Sequence, residues 1–202
     1  IRHKYALALG EHHPRILRAQ DGKLHPLHDQ PPGEALTSTA TAVSMLLRDL
    51  ADLFEYVEPV DKNKESYSHR CRRLLTLACM EVESSWKAII RANDYPPKPR
   101  LTREDYIKLR DPMRLEEWGV KLSQHLKYPL IWPFRGWKDN TDPSFPWYGA
   151  YKATKHDREM ALNEAKLEHV ISAVAGALVL AAAQFGWEEW ASGWGAGPNA
   201  QH

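Results

Sequence analysis

The chain has 202 residues and a formal net charge of +1, from 27 basic and 26 acidic side chains. That length fits a single core, and the charge balance excludes a uniformly basic nucleic-acid binder, so any basic surface must come from local clustering. The two cysteines, Cys71 and Cys79, fall in one predicted helix. They stand about 12 Å apart along its axis, too far for a bridge.

The cysteines are therefore expected to be reduced core residues in a reducing cytoplasm. No signal-peptide pattern is visible, and the chain opens on Ile1, not Met, as expected of a stretch inside a longer protein or of one given without disordered first residues. The longest apolar run, residues 173–183, is too short to cross a bilayer, and no membrane partner is expected.

Residues 1–33 are expected to form an N-terminal extension. Asp21-Gly22, between Pro14–Gln20 and Lys23–His25, signals a short hairpin. His12, His13, His25 and His28 lack fixed ligand spacing, so they read as solvated loop residues and no metal is expected.

Residues 34–186 are expected to form a helical bundle. Val43, Leu46, Leu47, Leu50, Leu53, Phe54 and Val57 recur at helical spacing from about Glu34 to Val57. Thr37 or Ser38 can cap that helix, and Pro59 ends it. Leu75, Cys79, Val82, Trp86, Ile89 and Ile90 stripe a second helix, about Ser66 to Ala92, with Glu83 and Lys87 one turn apart. Arg70, Arg72 and Arg73 near its start oppose the helix dipole, which an acidic neighbour or an anionic ligand would relieve.

Tyr95-Pro96-Pro97-Lys98-Pro99 stops that helix. Thr102-Arg103-Glu104-Asp105 resembles a capping box with Asp at its last position, opening a short helix to about Leu109. Residues 112–145 are irregular, with Gly119–Ser123 and Tyr128–Trp132 extended enough to pair as a small hairpin. Seven of the eight tryptophans lie from here onward, Trp118, Trp132, Trp137, Trp147, Trp187 and Trp190 among prolines and glycines and Trp194 further along the tail. Large rings in such surroundings can pin loops to a helical body.

A helix from about Pro146 to Met160 follows, with Ser144 as a cap and Pro146 at its first position. The last helix, Glu164 to Phe185 with Asn163 as cap, is apolar nearly all round, which marks a buried central element. Gly186 stops it, and residues 187–202 form a Trp- and Gly-rich tail.

The Pro146–Glu159 stretch concentrates the usable chemistry. At about 100° per residue, Tyr148, Tyr151, Lys152, Lys155 and Glu159 share one arc. His156 borders it beside Lys152, and Arg158 lies toward Tyr151. Cations that hold phosphate, aromatics that stack on bases and an imidazole that moves protons suit a phosphodiester. Glu81 or Glu83 of the second helix would orient His156 or pair with Lys155 if the bundle brought them together.

Two long helices, an irregular stretch, a helix reading Tyr-x-Ala-Tyr-Lys-x-x-Lys-His-Asp-Arg and a final apolar helix resemble a HEPN domain. The resemblance covers about Glu34 to Phe185, with its specific residues in Lys152–Arg158. It implies a four-helix bundle from bacterial or archaeal defence and toxin–antitoxin systems. It implies a homodimer in which two Arg-(four to six residues)-His motifs face each other, and metal-independent endoribonuclease activity without a cofactor. His156 matches the family histidine. No arginine precedes it at the family spacing, where Tyr151 and Gly149 stand instead, so Lys152 and Arg158 are offered as substitutes.

On that reading His156, Lys152 and Arg158 are catalytic, and Tyr148, Tyr151 and Lys155 hold RNA or a nucleotide. The alternative is a non-catalytic helical module that dimerises or binds a protein partner. P-loop, dinucleotide-binding, Gly-x-Ser-x-Gly and His-Glu-x-x-His motifs are all missing from the sequence. The expected fold is mainly α: four main helices, a small N-terminal hairpin and a short extended insertion.

Overall fold

The computed structural model describes residues 14–16, 18–20, 23–25, 33–93, 101–137, 145–157 and 159–186. Among these, β1 (Arg18–Gln20) and β2 (Lys23–His25) pair antiparallel around Asp21-Gly22. The helices are α1 (Glu34–Phe54), α2 (His69–Ala92), α3 (Arg103–Tyr106), α4 (Pro146–His156) and α5 (Leu167–Phe185). The fold is mainly α, as the sequence patterns predict.

The central element is α5. Thirteen consecutive residues from Ala173 run along it, and those up to Gln184 are all buried. Helices α1, α2 and α4 all pack on it, and α1 and α4 also pack on α2. By length and composition α5 qualifies as a candidate membrane span, with 19 residues and a mean hydropathy of 1.5, although its longest apolar run is shorter. In this fold 89% of that apolar window is covered by the rest of the chain. Gly186, at φ +94°, ends the helix in a conformation that L side chains rarely adopt.

The helix caps differ from the sequence expectation at α1, α2 and α5. Neither Thr37 nor Ser38 caps α1; the helix begins after Gly33, whose carbonyl accepts the amides of Leu36 and Thr37. It ends at Phe54, before the Glu58-Pro59 step that disfavours helical backbone. Helix α2 starts at His69, not at about Ser66, and Ser68 caps it, accepting the Cys71 amide at 3.1 Å.

The start of α5 is Leu167, not Glu164, and Asn163 lies in a preceding 3₁₀ turn. The free amides of Leu167 and Glu168 donate to the carbonyls of Ser66 and Lys64 at 2.8 and 3.0 Å. The linker between α1 and α2 thus caps α5, which no local sequence signal reveals.

At α3 half of the expected capping box forms, from the Asp105 carboxylate back to Thr102. Asp105, fully buried, accepts the Thr102 amide at 2.7 Å and its hydroxyl at 3.1 Å. The insertion closes where Val120 and Ile131 exchange both backbone hydrogen bonds, at 2.8 and 2.9 Å. Gly119 allows this closure, because a Cβ there would lie 3.2 Å from Leu130 and 3.3 Å from Trp132.

An aromatic cluster fastens the insertion to the bundle. Trp86 of α2 stacks on Tyr106 at 5.1 Å between ring centroids and meets Trp137 at 5.4 Å, Tyr148 at 5.9 Å and Phe134 at 6.2 Å. Phe134, Phe145 and Trp147 continue it toward α5. Trp187 and Trp190 lie outside the described residues, as do Ser144 and the N-terminal histidines other than the backbone of His25. Both cysteines are free and buried, and burial pushes both thiols up in pKa.

Trp86 is fully buried and touches α3, the insertion and α4 at once. Trp86→Ala should cost about 3–5 kcal/mol in urea unfolding, the usual range for removing a large core ring. Loss of less than about 1 kcal/mol would show that the cluster packs loosely.

Candidate nucleic-acid interface

The helix α4 starts with Pro146 at its first turn, where a missing amide costs nothing, and Phe145 precedes it in extended conformation. Its buried residues are Trp147, Tyr148, Ala150, Tyr151 and Thr154. The Trp147 indole donates to the Pro133 carbonyl at 2.9 Å, and Thr154 turns its hydroxyl back to the Ala150 carbonyl at 2.9 Å.

Tyr148 and Tyr151 face inward, toward α2. The Tyr148 hydroxyl donates to Glu83 Oε1 at 2.9 Å, and the other Glu83 oxygen lies 3.7 Å from Lys87 Nζ. Tyr151 is 2% exposed, its ring 5.7 Å from that of Tyr148. Their faces are covered by neighbouring side chains, so these rings do not offer a surface for stacking bases. Burial, then the Glu83 charge, raises the Tyr148 pKa far above that of an ordinary phenol. Burial also raises that of Tyr151, with Lys155 acting against it. Both phenols stay neutral near physiological pH and act as hydrogen-bonding anchors.

The lysines of the same arc run outward along those rings. Lys152 Nζ sits 5.2 Å from the Tyr148 ring centroid. Lys155 Nζ sits 5.2 Å from the Tyr151 centroid and donates to its hydroxyl at 3.2 Å. Long stems over aromatic faces explain how one arc holds buried phenols together with half-buried Lys152 and exposed Lys155. His156, the last residue of α4, is exposed.

One expected member, Glu159, does not join this face. The helix ends at His156, short of Met160, because Asp157 leaves helical geometry and its carboxylate accepts the Met160 amide at 3.1 Å. Glu159 is therefore in a turn, off the helical arc. Arg158 lies outside the described residues. Nor do the acidic candidates meet His156. Glu83 serves Tyr148 and Lys87, and Glu81 is electrostatically coupled to Arg15, whose Nε donates to Gln184 at 2.8 Å.

Of the arginines opening α2, Arg70 lies 3.4 Å from Asp52 and over the Tyr56 ring. Arg72 shares the helical stripe of Cys79 and Glu83, the stripe that meets α4. Its Nε is buried without a hydrogen-bond partner.

Sequence reading missed the Glu83–Tyr148 bond, which joins residues 65 positions apart. It also missed a pair at the insertion, where His125 Nδ1 lies 3.1 Å from Glu58 and its ring packs on Phe54. Nearby in the chain, the Tyr128 pKa is pushed up to about 12 by burial and by the charges of Glu168 and Asp61. No local pattern marks either arrangement. Among the described residues no cluster of three or more His, Cys, Asp or Glu side chains could hold a metal ion.

No family model, no curated protein and no solved structure matches the chain.

Tyr148→Phe should cost about 1–2 kcal/mol at pH 7, because it removes a donor from a partly buried carboxylate. The native state keeps the Tyr148 proton to higher pH than the unfolded state does. The stability linked to that phenol is therefore complete below about pH 10 and falls as pH rises further. Urea unfolding should show the wild type losing more stability than Tyr148→Phe between pH 9 and 11. Parallel losses would remove Tyr148 from the alkaline response.

Proposed function

We propose that this chain is a HEPN-like helical protein acting on RNA, with α4 as its working face and a place in bacterial defence or toxin–antitoxin response. The observation that most supports this reading is one short helix that joins buried aromatic anchors to adjacent cations. The inner side is anchored by Trp147, Tyr148 and Tyr151, while Lys152, Lys155 and exposed His156 lie along its outer edge. The buried phenols hold the backbone that carries the cations, so the charges are fixed before a ligand arrives. Arg72, with its unpartnered Nε on the α4-facing stripe of α2, adds a further cation that favours an anionic ligand.

The chemistry this face suits is transesterification. The 2′-hydroxyl attacks the adjacent phosphorus, the bond to the 5′-oxygen breaks, and a cyclic phosphate and a 5′-hydroxyl result. One proton leaves the 2′-oxygen and one reaches the 5′-oxygen, so no water or redox partner is consumed. His156 exchanges that proton, and Lys152 and Lys155, with Arg158 as the sequence suggests, offset the charge on the phosphorane. RNA or a nucleotide is held by its phosphates, since the tyrosine faces are covered.

A binding-only reading is favoured by one observation: the slots of the missing family arginine hold Tyr151, which is buried, and Gly149, which is exposed. Gly149 also offers the test. A Cβ added there meets nothing within 4 Å, so an arginine fits and would stand on the same side of α4 as His156. Single-stranded RNA incubated with the chain in chelator should be cleaved by the wild type. His156→Ala should lower the rate about 100-fold or more, and Gly149→Arg should raise it. Equal cleavage by wild type and His156→Ala would remove His156 from the mechanism. RNA binding without cleavage by any of the three would leave the binding-only reading.

A further inference from the structure

A second surface lies on the other side of the molecule. Helices α1 and α4 each pack on α2 and α5, which places them on opposite sides of that central pair. From Glu34 to Arg48, α1 turns Glu34, Thr37, Ser38, Thr41, Met45 and Arg48 outward, and all six are exposed. At 100° per residue they occupy one arc about 100° wide. Within it Thr37, Ser38, Thr41 and Ala42 line a shallow depression of about 650 Å³, bounded by Glu34 at one end and Met45 at the other.

Helix α2 widens the apolar part of this surface. The Arg70–Asp52 pair sets the register of the α1–α2 hairpin at 3.4 Å. Two turns back along α1 and two turns on along α2 bring Met45 opposite Leu77, with Met80 one turn further. Met45 is 59% exposed, Leu77 43% and Met80 55%. Met45 is a large apolar side chain open to water at the depression itself, and such an exposure beside a groove marks an interaction surface more than scattered single exposures do.

The charges identify the partner. Glu34 and Arg48 have no ion-pair partner among the described residues, and they stand about 21 Å apart along α1 with an uncharged stretch between them. Thr41 is midway. A two-fold axis through Thr41 would lay a second α1 antiparallel on the first. Glu34 would then meet the partner's Arg48, and Arg48 the partner's Glu34. Met45 of each copy would enter the depression beside Thr37 and Ser38 of the other. The surface is complementary to itself in charge, as an isologous dimer requires, and its apolar Met45 would stand over the other copy's depression.

We infer that a second copy of this chain docks on this face, α1 against α1, antiparallel and centred on Thr41. The inference is independent of the RNA reading. It leaves both copies of α4 away from the two-fold axis, unlike the facing motifs that the HEPN resemblance implies.

Light scattering and sedimentation equilibrium on the full chain should give twice its 23.2 kDa mass. Glu34→Lys alone and Arg48→Glu alone each set like charges together and should weaken the dimer about tenfold or more. The double reversal should restore it. Met45→Asp should also weaken the dimer, and far-UV circular dichroism checks that every variant is folded. A monomeric wild type would overturn the inference. So would a dimer unmoved by Met45→Asp and by both single reversals, or a double reversal no tighter than the single ones.

Discussion

The placement of α4 depends on the burial of its aromatic side against Trp86. An isolated helix of 11 residues is marginal in water. This one carries Gly149 in its middle and has no side-chain cap. What holds it is the removal of Trp147, Tyr148 and Tyr151 from water, each ring covering roughly 150–250 Å². Trp86 gathers that contact together with Tyr106 and Trp137, so the insertion and α4 share one anchor. The Glu83–Tyr148 bond sets the rotation of α4 about its axis, since only one phenol reaches that carboxylate.

That anchoring decides what chemistry remains outside. Rings that hold the helix cannot also stack on bases, so the exposed edge is left with ammonium groups and an imidazole. Lys152 and Lys155 are drawn along the tyrosine faces, which restrains their stems. Ion pairs at such exposure contribute little to stability. A row of cations held this way is better suited to a polyanion than to holding the fold together, which is why the proposed substrate is recognised through its phosphates.

Periodic burial was legible in the sequence, and contacts across the fold were not. The stripes of α1 and α2 and the all-round apolar character of α5 read directly, as did the Asp-Gly hairpin, the Thr102–Asp105 box and Gly186 as a stop. Starts were misplaced where distant backbone does the capping, as Ser66 and Lys64 do for Leu167 and Glu168. The α4 arc illustrates the same limit within the candidate site. A helical wheel groups Tyr148, Tyr151, Lys152 and Lys155 correctly, yet it cannot tell that the arc faces α2. That depends on Glu83, which is far away in the chain. Glu159 was assigned to the arc because the Asp157 turn, a local competitor of the helix, was not weighed.

The most direct test of the account is the salt dependence of binding to a short single-stranded RNA. Each phosphate neutralised by a protein cation contributes about −0.7 to the slope of log affinity against log salt. If Lys152 and Lys155 each hold one phosphate, replacing both with glutamine should weaken binding and reduce the magnitude of that slope by about 1.4. An unchanged slope in the double variant, or no RNA binding by the wild type at low salt, would contradict the assignment of α4 as the working face.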